Sequence, residues 1–300
     1  MIRRKRTVRP GRGALSRIRS TNRRPVWSRN EATGQDVGIR GDTVPGAFVR
    51  GVMDVAADLG ARYFLLHHAQ AVSEDRTTCM SVGGQPRGFL GLDWRDIECI
   101  DVSEAKVPPN DEYTAYRTYG SLILEGRKKT IEVPLREAPF GGVTVSRIPR
   151  GRTGFVLDSD AFAREVRRAV PLLMEGRRVD AKNSETYLLS RDGGDLLFKA
   201  DGLPYHGWIT ADVGDSVVAG TAGTNDAGIP LQHYLLLRLA KAVSRPCLDG
   251  GTVYLGDLVE VSEEGERGSE GITSTEPLWY EGSICGFPVT IVVAPSVVRG

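Results

Sequence analysis

Histidine and cysteine are scarce in this 300-residue chain, four of each, and no two cysteines stand close enough for a C-x-x-C pair. Cys79, Cys99, Cys247 and Cys285 therefore argue against a zinc knuckle or a disulfide framework, and they predict buried free thiols in a reducing compartment. No apolar run approaches about 18 residues, so nothing is expected to span a membrane. No apolar core follows the basic start, as it would in a secretory signal. The phosphate-cradling pattern G-x-x-x-x-G-K-[ST] is missing, and the glycine-rich stretch 220–228 lacks the lysine such a loop uses. His67 and His68 sit in an apolar stretch that reads as a strand, where alternation sends adjacent side chains to opposite faces and keeps them from sharing a metal. His206 and His233 have no nucleophile at motif spacing, and the acidic pairs Asp93/Asp96 and Glu263/Glu264 read as ordinary loop residues. These absences leave no catalytic, cofactor or metal site, and the chain is expected not to be an enzyme.

Acid is missing altogether from the first 30 residues, which hold 11 basic ones. They are Arg3, Arg4, Lys5, Arg6, Arg9, Arg12, Arg17, Arg19, Arg23, Arg24 and Arg29. The whole-chain charge of +1 hides this asymmetry: beyond residue 30 stand 28 basic and 38 acidic residues, a body of −10. Val8, Leu15, Ile18 and Trp27 follow no helical or alternating period, and glycine and proline interrupt the segment. It cannot bury enough apolar surface to offset its ordering entropy, so residues 1–40 are expected to be a disordered arm. Arginine pairs with phosphate at two points and stays charged at any working pH. Nucleic-acid binding by phosphate neutralisation, without base readout, is the leading reading of the arm. A serine-bearing organelle targeting peptide and a solvated or localisation tail are the alternatives.

The first part of the body, 41–150, reads as strand-rich. A helix is expected over 43–60, capped by Thr43, with Pro45 in its first turn, Phe48, Val52, Val55 and Leu59 as an apolar stripe, and Gly60 as its stop. Its polar face carries Arg50, Asp54 and Asp58, a net acidic set. Strands are expected over 62–72, 77–82, 88–92 and 97–102. A short helix from Asp111 would lead into a hairpin of 121–125 with 130–135, and further strands would cover 143–148 and 155–157. Residues 147–154, with Pro149 and two glycines, mark the best internal boundary.

The second part, 151–300, has clearer periodicity. After Ser159, Phe162, Val166, Ala169 and Leu173 fall on one helical face, with Arg164, Arg167 and Arg168 opposite. Pro171 is expected to end that helix near Val170. Residues 187–190 and 196–200 flank Asp192-Gly193-Gly194, a hairpin signal. Strands over 208–213 and 216–219, a glycine-rich loop, and a helix over 231–245 follow, with Arg238, Lys241 and Arg245 stacked on one stripe. The strand segments 252–255, 258–261, 279–282 and 288–293 complete the chain. A basic helix followed by an Asp-Gly-Gly turn occurs twice, so the fold class is α+β, strand-rich, with duplicated strand–helix–strands units.

The segment TGFVLDSDAFAREVRRAVPLL…ETYLLSRDGGDLLFKADG, 153–202, followed by the helix PLQHYLLLRLAKAV, 230–243, resembles one domain of a DNA polymerase sliding clamp. In that family each domain repeats a strand–helix–strands unit twice, six domains form a ring, and the helices line a channel with basic residues facing duplex DNA. The resemblance implies that Arg164, Arg167, Arg168, Arg238, Lys241 and Arg245 touch phosphate without reading bases. If 41–150 is a divergent copy, three subunits would close a ring. The acidic face of the first helix departs from that pattern, and both basic stripes could equally be the wet faces any amphipathic helix needs.

The expected function is thus a non-enzymatic, nucleic-acid-associated, homo-oligomeric processivity factor in DNA replication, binding DNA rather than RNA, with no cofactor and no membrane partner. The alternative is a viral capsid protein whose arginine-rich arm neutralises packaged genome, which would place it in a virion rather than a reducing cytoplasm.

Overall fold

A computed structural model describes residues 38–175, 185–190, 196–202, 207–212, 217–221, 227–257, 259–261, 271–273 and 276–295. The arginine-rich arm lies outside them except for Gly38 to Arg40, and β1 (Ile39–Pro45) already begins at Ile39. Thr43 is a strand residue whose hydroxyl meets that of Thr114 at 2.9 Å, not a helix cap. The helix α1 (Gly46–Asp58) starts three residues later than its sequence suggests, with Pro45 extended at its N-terminus. Phe48, Val49, Val52, Val55, Ala56 and Leu59 are buried along its inner face. Gly60 ends it at φ +82, where the amides of Gly60 and Ala61 bond back to Ala57 and Ala56. That left-handed stop is easiest for glycine.

The expected strand 62–72 is two strands, β2 (Tyr63–Leu65) and β3 (Gln70–Val72), folded back across a turn in which Ala69 takes φ +47. They are followed by β4 (Thr78–Val82), β5 (Glu98–Asp101), β6 (Glu112–Arg117), β7 (Ser121–Gly126), β8 (Thr130–Pro134) and β9 (Arg136–Glu137). Residues 88–92 form no strand but a 3₁₀ turn at Phe89–Gly91 with Leu90 at φ +62. No helix starts at Asp111. Tyr113 and Ala115 are fully buried while Glu112, Thr114 and Tyr116 are not, a period of two that fits β6. The expected strand 143–148 is a loop with a 3₁₀ turn at Val145–Arg147.

The second half runs β10 (Thr153–Leu157), α2 (Ser159–Glu175), β11 (Glu185–Ser190), β12 (Leu196–Gly202), β13 (Gly207–Asp212), β14 (Val217–Thr221) and β15 (Ala227–Gln232). Then come α3 (His233–Val243), β16 (Leu248–Leu255), β17 (Val259–Val261), β18 (Gly271–Thr273), β19 (Leu278–Ile284) and β20 (Phe287–Val293). Helix α2 passes through Pro171 rather than stopping before it. Proline removes one donor and bends a helix, but it does not forbid continuation when the rest of the ladder holds.

Strand order reveals the duplication. In the second half β13-β12-β11-β15 make one sheet and β10-β16-β19-β20 run consecutively in another; in the first half β4-β3-β2-β5 and β1-β6-β7-β8 repeat both orders. Among the described residues the strand orders on the two sides of 147–154 thus repeat, with α1 placed as α2 is, between the first and second strands of its half. The counterpart of α3 is missing: residues 102–111, between β5 and β6, contain no helix. The halves join edge to edge where β20 pairs antiparallel with β4, from Val289 opposite Val82 to Val293 opposite Thr78. Through that pairing one sheet of ten strands carries elements from both sides of residues 147–154. The main apolar cluster likewise extends from Val44 to Val293, and a smaller one gathers Leu65, Val72, Cys79, Cys99 and Ala138.

Candidate nucleic-acid interface

Three helices lie in a row because α3 packs against both α1 and α2. The apolar stripe of α3, Leu235, Leu236, Leu239 and Val243, is buried, which leaves its polar side outward. On α2 the same logic buries Phe162 and Val166 and exposes Arg164, Arg167 and Arg168. Arg167 Nη2 donates to Ser244 Oγ at 3.1 Å, at the end of α3, and Arg164 Nε stands 4.0 Å from Glu165. The guanidiniums on this face are open to water, and Arg164 has only the distant contact with its neighbour Glu165 among the described ion pairs.

The α3 stripe differs. Lys241 Nζ reaches Asp58 Oδ1 at 2.8 Å, and Arg245 grips the same carboxylate with Nε and Nη2. Arg245 also lies 3.9 Å from Asp54, and Arg238 Nη1 donates to Asp75 Oδ2 at 2.7 Å. Burial pushes the Asp58 carboxyl up, but the Arg245 and Lys241 hydrogen bonds and charges outweigh it and hold its pKa below the ordinary carboxylate range. Asp75 is held low in the same way, burial being outweighed by hydrogen bonds from Ser73, Thr77 and Arg238. The acidic residues that look anomalous on a channel helix are thus the partners of the α3 cations. Arg238, Lys241 and Arg245 latch the second half onto the first, and much of their charge is neutralised there.

Of the sequence-derived interface, Arg164, Arg167 and Arg168 share one exposed face with the α3 stripe beside it, while Arg3, Arg4, Lys5, Arg6, Arg9, Arg12, Arg17, Arg19, Arg23 and Arg24 lie outside the described residues. Sequence reasoning missed the latch. Its signal was present as opposite charge on the polar stripes of two amphipathic helices, but which helices meet is a tertiary fact.

The link between the halves, residues 138–152, lies over a groove of 580 Å³ lined by Phe140, Val143 and Ile148 from the link and by Val72, Cys79 and Val292 from the sheet. Gln70 holds the link in place at both ends of its amide, with Nε2 donating to Val143 O at 2.7 Å and Oε1 accepting from Val143 N at 3.0 Å. All four cysteines are free thiols, yet only Cys79 and Cys99 are buried; Cys247 is half-buried and Cys285 is exposed in a turn.

His67 and His68 contradict the opposite-face expectation. They occupy the turn between β2 and β3, where alternation does not operate, and their rings lie 4.8 Å apart, edge to face. Asp96 Oδ1 is 3.2 Å from His67 Nε2.

No family model matches the chain, and no curated protein does. Solved structures do. The PCNA of Thermococcus kodakaraensis superposes with a TM-score of 0.59 at 13% identity, covering 86% of this chain and all of that one. The fold is that of a sliding clamp. The PCNA of Entamoeba histolytica gives 0.58 at 10% identity over 87% of this chain and 99% of the other. A. fulgidus PCNA with the C-terminal region of FEN-1 bound gives 0.55 at 14% identity over 87% and 100%. At such identities the likeness carries the clamp architecture alone. Among the described residues no helix is long and apolar enough to cross a membrane.

Proposed function

We propose that this chain is a non-enzymatic subunit of a closed ring that encircles duplex DNA and holds partner proteins on it. The observation that carries this reading is the joint between β20 and β4. In the duplicated topology β8 copies β20 and β13 copies β4, and each lies at the edge of its sheet. A joint made once inside the chain is therefore available again between copies, β8 of one against β13 of the next. Such an interface is head-to-tail, and it makes a ring when the rotation closes. Three copies of a two-domain chain give six domains. Solved clamps with this fold include an assembly of two different chains, the PCNA2–PCNA3 complex of Sulfolobus tokodaii, at a TM-score of 0.54 and 12% identity.

Within that ring the exposed guanidiniums of α2 supply the phosphate-facing charge and the arm adds a tethered polycation. Duplex DNA suits both because phosphate contacts need no base readout. The apolar lining of the groove beneath the link suits a partner's segment, and at least one clamp of this fold, A. fulgidus PCNA, binds a C-terminal region of FEN-1.

Fluorescence titration of a labelled duplex against salt tests the DNA reading. Deleting residues 1–37 should remove most of the salt slope, because each released counterion contributes close to one unit to it. Reversing Arg164, Arg167 and Arg168 to Glu in the armless chain should then abolish the remaining affinity. Unchanged binding in that variant would leave the α2 face as a solvated surface and take the DNA channel away.

A further inference from the structure

We propose that His67, His68 and Asp96 form a binding site for a divalent transition-metal ion, Zn²⁺ in particular, at the base of the link between the two halves. One ligand atom from each residue comes together within 4.8 Å of the others, the sole such cluster of three or more His, Cys, Asp or Glu among the described residues.

The hydrogen-bond roles around His67 single this cluster out. His67 Nδ1 lies 2.9 Å from the carbonyl oxygen of Trp94, and a carbonyl can only accept, so the proton sits on Nδ1. The opposite nitrogen, Nε2, then faces the Asp96 carboxylate at 3.2 Å, and an ionised carboxylate also only accepts. A neutral imidazole cannot serve both. Either a second proton or a cation must stand between Nε2 and Asp96. An imidazole anchored through Nδ1–H to a backbone carbonyl, with its bare Nε2 turned toward a carboxylate, is the arrangement that metal-ligating histidines adopt, since the outer hydrogen bond fixes tautomer and ring orientation.

The surroundings favour the metal. His68 adds a second ring, its centroid 4.8 Å from that of His67 and set edge to face, so that a nitrogen of each can turn toward the same point. The loop that presents Asp96 is held from several sides: the Trp94 indole donates to Phe89 O at 2.8 Å, Arg117 Nη1 donates to Asp93 O at 2.7 Å, and Arg95 N donates to Glu98 Oε2 at 2.8 Å. His68 and Asp96 are exposed, so the closure of up to about 1.5 Å needed to bring three ligands to tetrahedral spacing costs little packing. Two imidazole nitrogens and one carboxylate oxygen suit Zn²⁺ and its neighbours in the transition series, not Mg²⁺ or Ca²⁺, which call for oxygen alone.

Position gives the site a consequence. Gly142 of the link lies against the His68 ring so closely that a Cβ there would fall 2.2 Å from Cδ2. A metal that fixes His68 therefore stiffens the turn on which the link rests, two residues from the Gln70 clamp on Val143.

Competition with a chromophoric zinc chelator, using the full chain, tests the assignment at pH 7.5. The wild-type chain should withdraw one equivalent of Zn²⁺ that excess Mg²⁺ and Ca²⁺ do not displace. His67→Asn, His68→Asn and Asp96→Asn should each weaken that binding at least about tenfold, because losing a ligand costs no less than losing an outer-shell partner. All three side chains are exposed, and an unchanged circular dichroism melt without metal should show that each variant folds. Zinc uptake that is equal in wild type and all three variants, or absent in the wild type, would overturn the site. Equal displacement by Mg²⁺ would overturn the donor-set argument and with it the proposal.

Discussion

Asp58 shows how much of the joint between the halves depends on single residues. Its side chain is almost wholly buried, and it binds Lys241 and Arg245 at once. Replacing it with Asn should destabilise the fold by about 2 kcal/mol, since both cations are partly solvated and water recovers some of what they lose. The folded-state pKa of Asp58 is depressed, so its contribution is present above the unfolded value near 4 and fades as pH falls through the folded one. The gap between wild type and Asp58→Asn in urea midpoints should thus be constant from pH 5 to about pH 7 and shrink below about pH 4. A gap independent of pH down to about pH 2 would mean that the carboxylate charge contributes nothing.

The cysteines give a second residue-scale test. Burial pushes the Cys79 thiol up to about 12 and Cys99 to about 11, so neither supplies thiolate at neutral pH. Cys285 is exposed. Timed alkylation of the folded chain at pH 8 followed by peptide mass spectrometry should modify Cys285 first and leave Cys79 and Cys99 until unfolding. Early labelling of Cys79 would show that the groove beside it opens. None of this order could be seen in the sequence, where four widely spaced cysteines read alike as buried thiols.

Legibility from sequence rose and fell with periodicity. The apolar stripes of α1, α2 and α3 were readable because one face of each helix is buried and the pattern repeats, and the Gly60 stop and the strands near 208–213, 279–282 and 288–293 because apolar runs there are bounded by turn residues. Failures came where local chemistry is neutral between outcomes. The run 113–116 fits a helical face as well as a strand, and pairing with β1 on one side and β7 on the other makes it β6. The run 62–72, RYFLLHHAQAV, holds no glycine, proline, asparagine or aspartate, so nothing in it announces that Ala69 turns the chain back. His67 and His68 were misplaced for that reason, and the latch of α3 on Asp58 and Asp75 was invisible because its partners are 163 and 187 residues apart.

At the same scale β8 offers a clean test of assembly. Thr130, Glu132 and Pro134 are exposed and alternate with buried Ile131 and Val133, so the strand can keep its inner contacts while its outer backbone is blocked. Glu132→Pro removes one edge donor and the acceptor of the Ser121 hydroxyl, 2.6 Å away, but leaves the apolar core in place, and proline is tolerated at an edge. If β8 meets β13 of another copy, this variant should sediment as a monomer while its melt shifts little. An unaltered assembly would place the interface elsewhere.

For the whole molecule, the duplicated topology and the clamp architecture point the same way as the charge distribution. A body of −10 would repel DNA were its charge uniform; the fold gathers α2 guanidiniums on one exposed face and pairs the first half's acids with α3 cations. With no counterpart of α3 between β5 and β6, the described residues would give a six-domain ring of three chains nine helices, three from each chain. That makes the arm more than an ornament, since the inner face has fewer helical cations than a fully duplicated chain would offer. The most direct measurement is the mass of the assembly in solution, by light scattering on the chain lacking residues 1–37. A closed ring predicts a single species of three times the armless chain's mass, the full chain being 32.6 kDa, at every concentration above dissociation. A monomer that persists at high concentration, or open-ended growth into large shells or filaments, would contradict it.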